Sequence, residues 1–172
     1  MKYSHRGQAL LELAFIIPFL LLVIANVVNF GGMFYAAITV ANAARHGAQD
    51  FVYGSATVKN ASPATPAEIW ALIQNETVAL PNASGSLGIR ICRENRDTPS
   101  APACTAFGPD IYTFTSPPVD TRDEGDEFLN GWVDVGYTYV PYIPLFDVPV
   151  MGISLSPPVQ TMTRQSLMRV LH

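Results

Sequence analysis

Few residues of this 172-residue chain are placed to do chemistry, and the leading candidates sit at its start. Arg6-Gly7-Gln8 is followed by Ala9-Leu10-Leu11, then Glu12, then a long apolar run. Hydrolysis of the peptide bond after Gly7 would free an amine on Gln8 one helical turn before Glu12, at i, i+4 spacing. That cationic amine could pair with the Glu12 carboxylate of its own chain or of a neighbour. Such an amine and carboxylate would form a pairing device, not a site that turns over a substrate. No Ser-His-Asp set, Gly-rich phosphate loop or metal-spaced His/Cys cluster accompanies it, so the sequence offers no catalytic residue, no metal ligand set and no cofactor motif. The acidic stretch Asp120-Thr121-Arg122-Asp123-Glu124-Gly125-Asp126-Glu127 has oxygen donors. Arg122 interrupts it and the EF-hand spacing fails, so it reads as a solvated loop, with a weak calcium site as the alternative.

The apolar run must position Gly7, Gln8 and Glu12. Between Ala9 and Phe30 only Glu12, Asn26 and Asn29 are polar. At ~1.5 Å per helical residue the run reaches roughly 33 Å, enough to cross a hydrocarbon core of ~30 Å. Lys2 and Arg6 precede it and no basic residue follows until Arg45, which predicts a cytoplasmic N-terminus and an exported remainder. An ionised Glu12 would cost ~2.5–3.5 kcal/mol at mid-membrane and less near the headgroups, so it calls for a role. An ordinary signal-anchor whose Glu12 snorkels to the cytoplasmic face is the plainer account. A signal peptide removed at Ala41-Asn42-Ala43 fits poorly, because the apolar run is too long and ends well before that triplet.

Composition bounds the rest. The length is that of one domain, and fourteen prolines and twelve glycines predict a loop-rich exterior. Taking Lys2 and Arg6 from the ten basic residues leaves eight against fourteen acidic, a net charge of −6. That argues against nucleic acid as a partner, which needs a basic face. Cys92 and Cys104 both fall in the exported part, where an oxidising compartment favours pairing them. Closing so short a loop contributes ~3 kcal/mol in the chain-entropy model. Two buried thiols or half a metal site are the alternatives, and they are disfavoured because His5, His46 and His172 are scattered and no third cysteine exists.

Beyond the membrane the helix should continue. Phe30, Met33, Phe34, Ala37, Val40, Ala41, Ala44, Ala48 and Phe51 recur at three- and four-residue spacing, and Gly54 is the first good terminator. Counted from Gln8 this predicts a helix roughly 70 Å long. Pro18 and Gly31-Gly32 are its weak points, and its small residues allow tight packing on the protein's own sheet. Thr65-Pro66-Ala67-Glu68 reads as a capping box opening a short helix to about Leu80. Leu87–Arg93 alternates as a half-buried strand. Glu94–Ala106 reads as a polar loop and Ile111–Thr115 as a returning strand. Trp132–Val140 is the clearest strand, with Val133, Val135, Tyr137 and Tyr139 on one face. Pro141–Pro149 reads as an apolar loop unable to pair as a ladder. Tyr142, Ile143, Leu145 and Phe146 there are core cover or, if exposed, a contact patch. A last strand lies within Ile153–Leu171, broken by Pro157-Pro158. The sum is an α+β, pilin-like layout: a long N-terminal helix packed on a small antiparallel sheet of three or four strands.

The short basic leader, the glycine, and the glutamate five residues after it, ahead of a long apolar helix, resemble the processing site of type IV prepilins. More narrowly, the sequence is similar to the TadE-like family of the tight-adherence (Flp-type) pilus system. The likeness rests on Arg6-Gly7, Glu12, Pro18, Phe30-Gly31, Asn42 and Ala44-Arg45-His46-Gly47-Ala48, and on the strand VDVGYTYVPYIPLF with the closing Met168-Arg169. The resemblance implies a non-enzymatic pseudopilin or minor pilin. Residues 1–7 would be its leader, 8–30 the transmembrane helix, 31–54 an amphipathic extension and 55–172 an extracytoplasmic α+β head. It implies cleavage between Gly7 and Gln8 by a prepilin peptidase, and assembly roles for Glu12 and Pro18. Its expected partners are that peptidase, other pilins and pseudopilins, pilus-assembly platform proteins and inner-membrane lipid. Its expected location is the bacterial inner membrane, single-pass, with the head periplasmic, or the pilus itself. A signal-anchored binding or adhesion module, neither cleaved nor polymerised, is the alternative.

Overall fold

In a computed structural model the described residues are 5–53, 64–94, 102–109, 111–115, 128–144, 147–148, 153–154 and 157–171. Three helices and six strands follow in order: α1 (His5–Tyr53), α2 (Pro66–Thr77), α3 (Ala83–Ser86), β1 (Leu87–Arg93), β2 (Ala103–Phe107), β3 (Phe128–Tyr139), β4 (Asp147–Val148), β5 (Ile153–Ser154) and β6 (Gln160–Leu171). The protein is α+β. Its chain divides into two compact units, Met1–Phe34 with Pro141–Pro158, and Tyr35–Val140 with Val159–His172.

The second unit is built on a four-stranded antiparallel sheet of order β2-β1-β3-β6. Period-two alternation sends Leu87, Ile89 and Ile91 of β1 to the same face as Tyr137, Val135 and Val133, their register partners on β3, and all six are buried. Burying each such aliphatic side chain is worth ~1.5–3 kcal/mol. Ala36, Val40, Ala43, Ala44, Ala48 and Phe51 of α1 are buried at three- and four-residue spacing, as are Ile69 and Ile73 of α2.

The buried face of α1 differs from the sequence expectation. Phe30 and Phe34, read as part of it, are 45% and 62% exposed, and alanines with one glycine take their place. The reason is steric. A β-carbon on Gly47 would meet Ile73 Cδ1 at 2.9 Å, Ile69 Cγ2 at 3.3 Å and Val133 Cγ1 at 3.4 Å. At Gly47 the helix backbone lies too close to α2 and β3 to admit a side chain. Helix α1 is also longer at its start than expected, since His5 and Arg6 of the basic leader are already helical, and it runs through Pro18, Gly31 and Gly32 without a break. Gly54 lies outside the described residues.

Helix α2 starts as its sequence predicts. The Thr65 hydroxyl accepts from the Glu68 amide, and the Glu68 carboxylate accepts from the Thr65 amide at 2.7 Å. Those hydrogen bonds hold the Glu68 carboxyl below its ordinary value. Its contribution to helix stability is therefore present above an unfolded value near 4.5 and is lost as pH falls through the lower folded value.

Two loop expectations and one strand expectation are corrected. The stretch read as polar loop contains strand β2, whose Cys104 stands directly opposite Cys92. The disulfide between them joins β1 to β2. The expected strand Ile111–Thr115 is not a strand; it crosses the outer face of the sheet. Its Tyr112 ring lies over Gly88 and Gly136, which are paired across β1 and β3. The proline-rich stretch Pro141–Pro149 does contribute to a ladder: Asp147 and Val148, which lie between prolines, pair with Ser154 and Ile153. Proline bars pairing only where its own missing N–H is needed. Within Ile153–Leu171 strand residues lie on both sides of Pro157-Pro158, as β5 and β6, and β6 pairs along all of β3.

Candidate functional site

The residues expected to be cut and paired all lie on α1. Gly7 and Gln8 fall in its first turns and Glu12 one turn further on, on an exposed part of the helix, so the i, i+4 spacing of Gln8 and Glu12 is realised in a helical backbone. Pro18 is in the interior of the same helix and exposed. From Leu10 to Phe34 the large apolar side chains point outward: Phe15 is 75% and Phe19 70% exposed. A soluble helix would bury such side chains; here they form a girdle suited to a lipid solvent. Among the described residues this is the one helix long and apolar enough to cross a membrane.

One polar residue within that girdle is fully buried. Asn29 donates from Nδ2 to the Ile143 carbonyl at 2.9 Å and accepts at Oδ1 from the Ile143 amide, also at 2.9 Å. The carboxamide thus pairs with both backbone groups of a residue 114 positions later, as a neighbouring strand would. Asn26, by contrast, satisfies itself on the Leu22 carbonyl one turn back, at 3.0 Å. Sequence reasoning singled out Asn29 only as an interruption of an apolar run. A lone amide in such a run, with an apolar loop late in the chain, was the available signal. Asn29→Leu keeps the size and removes both hydrogen bonds, leaving two Ile143 backbone groups without them. Each unmade bond in an apolar setting costs ~1–3 kcal/mol. The expected result is at least tenfold faster hydrogen exchange at the Ile143 amide, with the exchange of β1 and β3 unchanged.

The outer face of the sheet carries the other polar constellation. Arg90, Asp134 and Gln165 form one row across β1, β3 and β6. Arg90 Nε donates to Asp134 Oδ2 at 2.8 Å, and Gln165 Nε2 donates to Asp134 Oδ1 at 2.8 Å. Arg90 Nη2 also donates to the Thr115 carbonyl at 2.8 Å, with the guanidinium over the Phe114 ring at 5.2 Å. Every member of the row has a partner, so the arrangement is a clamp on the crossing segment, with no group poised to react. Burial pushes the Asp134 carboxyl above its ordinary range, outweighing the Arg90 and Gln165 hydrogen bonds that lower it. A carboxyl raised on folding stabilises the fold fully below its unfolded value, near 3.8, and that contribution is lost as pH rises through the folded value. Asp134→Asn is therefore expected to flatten this part of the stability–pH profile. Melting temperatures of the two proteins across acid to neutral pH should converge or cross as pH rises, and a constant difference would contradict the assignment.

Among the described residues no three His, Cys, Asp or Glu side chains come together in a metal-holding group. A surface cavity of about 430 Å³, lined by residues such as Gln74, Thr77, Leu80 and Asn82, contains no ionisable group. The acidic stretch 120–127, with Leu145 and Phe146, lies outside the described residues. Of the expected apolar patch, Tyr142 is 48% and Ile143 37% exposed, so these two are more than core cover. His46 on α1 pairs with Glu76 on α2, tying together two helices of the second unit.

Comparison with known proteins bears on α1. The family model described as TadE-like protein matches residues 7–49, from the glycine of the expected cleavage site to the residue after Ala48. No curated protein and no solved structure matches the chain.

Proposed function

We propose, from a chain whose residues 7–49 are TadE-like, that the protein is a pseudopilin or minor pilin taking part in assembly of a tight-adherence (Flp-type) pilus. The observation that carries the reading is the coincidence of that match with an outward-facing apolar helix bearing Glu12 near its start. In this reading a prepilin peptidase cuts after Gly7, residues 8–30 hold the subunit in the inner membrane, residues 31–54 extend the helix, and residues 55–172 form the extracytoplasmic head. The new Gln8 amine and Glu12 then supply opposite charges near one end of an apolar helix. A carboxylate in low dielectric gains most from a cationic partner, so an incoming subunit is drawn into register with the amine of its neighbour. Other pilins, pseudopilins and the assembly platform are the partners, and the protein's chemistry is to be processed, inserted and assembled, with no reaction of its own.

The direct test is the intact mass and N-terminal residue of the protein purified from its native membrane. A chain beginning at Gln8 and lighter by the seven-residue leader supports the proposal. A chain still beginning at Met1, in cells with an active prepilin peptidase, overturns it in favour of a signal-anchored binding module. Glu12→Val is expected to leave the fold and membrane insertion intact and to reduce surface pili at least tenfold, counted by electron microscopy. Undiminished pilus output would remove Glu12 from the mechanism.

A further inference from the structure

The Asn29–Ile143 pairing ties a late segment of the chain to the apolar girdle. We propose that residues 142–144, held there, form a second and shallow membrane contact seated at the headgroup–acyl boundary of the outer leaflet; this rests on the reading of α1 as a membrane anchor. Three observations carry it. The first is depth. Exposed large apolar side chains on α1 continue from Leu10 to Ile38, roughly 43 Å of helix against a hydrocarbon core of ~30 Å. With Glu12 at the inner headgroups, the core reaches to about residue 32, so Asn29 and whatever is bonded to it lie just inside the outer boundary.

The second observation is hydrogen-bond satisfaction. Irregular backbone is tolerated at that depth only where its polar groups find partners within the protein. Both backbone groups of Ile143 are taken up by Asn29, and a little further along β4 and β5 pair with each other. The third is composition. From Pro141 to Pro158 the sequence has one side chain charged at neutral pH, Asp147, and no lysine or arginine. Tyr142, nearly half exposed, is of the type that prefers the boundary, with an apolar ring and a polar tip. The absence of basic residues selects the kind of surface. The contact is hydrophobic and requires no anionic lipid, unlike a polybasic membrane patch.

The test uses the full-length protein carrying Tyr142→Cys, labelled with bimane and reconstituted into phosphatidylcholine vesicles. Cys92 and Cys104 are joined in the disulfide and do not take the label. Phe15→Cys reports the anchor and Thr105→Cys, on exposed β2, reports water. The expected result at 142 is quenching by shallow spin-labelled lipid about twofold or more above that at 105, iodide quenching correspondingly weaker, and no change when anionic lipid is added. Iodide reaching 142 as readily as 105, with 15 still quenched by lipid, overturns the inference and leaves the anchor standing. Protection of 142 from iodide that grows with protein-to-lipid ratio, without lipid quenching, overturns it in favour of a second copy covering the strap. Loss of lipid quenching at 15 removes the anchor, and the inference with it.

Discussion

Gly136→Val is expected to destabilise the sheet-bearing unit by about 2–3 kcal/mol, although valine is ordinarily among the best residues for a strand. A β-carbon at 136 would lie 2.6 Å from Tyr112 Cγ and 2.7 Å from Cδ1, inside the ring and not at a flexible tip. The ring cannot slide aside cheaply. Its hydroxyl donates to the Ser86 carbonyl and is within 3.3 Å of Thr138 Oγ1, while its other edge covers Gly88. Valine therefore either strains a packed site, at ~1–3 kcal/mol, or expels the ring and exposes the glycine pair beneath it, at a similar further cost for a half-buried aromatic. Urea unfolding of the full-length protein in detergent, followed by near-UV circular dichroism, measures the loss. The diagnostic result lies in the second background. With Tyr112→Ala already present, Gly136→Val should become neutral or stabilising, because only the strand preference of valine remains. Additive effects of the two substitutions would show that the ring and the glycine are not in contact.

The second large effect is expected from Cys92→Ser with Cys104→Ser. Removing this short loop closure costs ~3 kcal/mol in the chain-entropy model. Its consequence should be concentrated on β2. That strand is at the edge of the sheet, its residues Ala103–Ala106 are exposed, and besides the disulfide it is held by its ladder with β1 and by Phe107 stacked on Trp70 with ring centroids 5.9 Å apart. Hydrogen exchange is expected to accelerate at least tenfold across Ala103–Phe107, while β1 amides facing β3 keep their protection. Uniform loosening of both strands would mean that the disulfide supports the whole sheet and not its edge alone.

What the sequence made legible was whatever is decided locally. The capping box at Thr65 and Glu68 is a four-residue event, and the alternation of β1 and β3 follows from one buried face, so each could be read directly. The features missed depend on partners remote in sequence. Ala103–Phe107 has weak strand character and becomes a strand through its pairing with β1 and the cysteine opposite. Ile111–Thr115 has good strand character, yet Tyr112 is claimed by two glycines 24 residues away from it on either side of the intervening chain. On α1 the expected face was right from Val40 onward, where Val40, Ala44, Ala48 and Phe51 are buried, and wrong at Phe30 and Phe34, because large aromatics and alanines are equally apolar in a periodicity argument. Only the closeness of Ile69, Ile73 and Val133 to Gly47 decides between them. The residues proposed for processing, Gly7, Gln8 and Glu12, form a short linear pattern that a sequence shows directly, whereas the Asn29 pairing is a long-range contact with no such pattern.

The pairing of β6 along all of β3 also constrains the order in which the protein can be made. Of the described elements β6 is the last to be synthesised, and its final residue Leu171 pairs with the first residue of β3, Phe128. While that part of the chain is still in the ribosome, α2, the β1–β2 hairpin and the β1–β3 pairs can form, but β3 keeps one edge unfilled. The nascent protein thus passes through a stage in which an open, strongly apolar strand is available to any passing segment. A chain truncated shortly before residue 160 would hold the protein at that stage, with one edge of β3 unfilled.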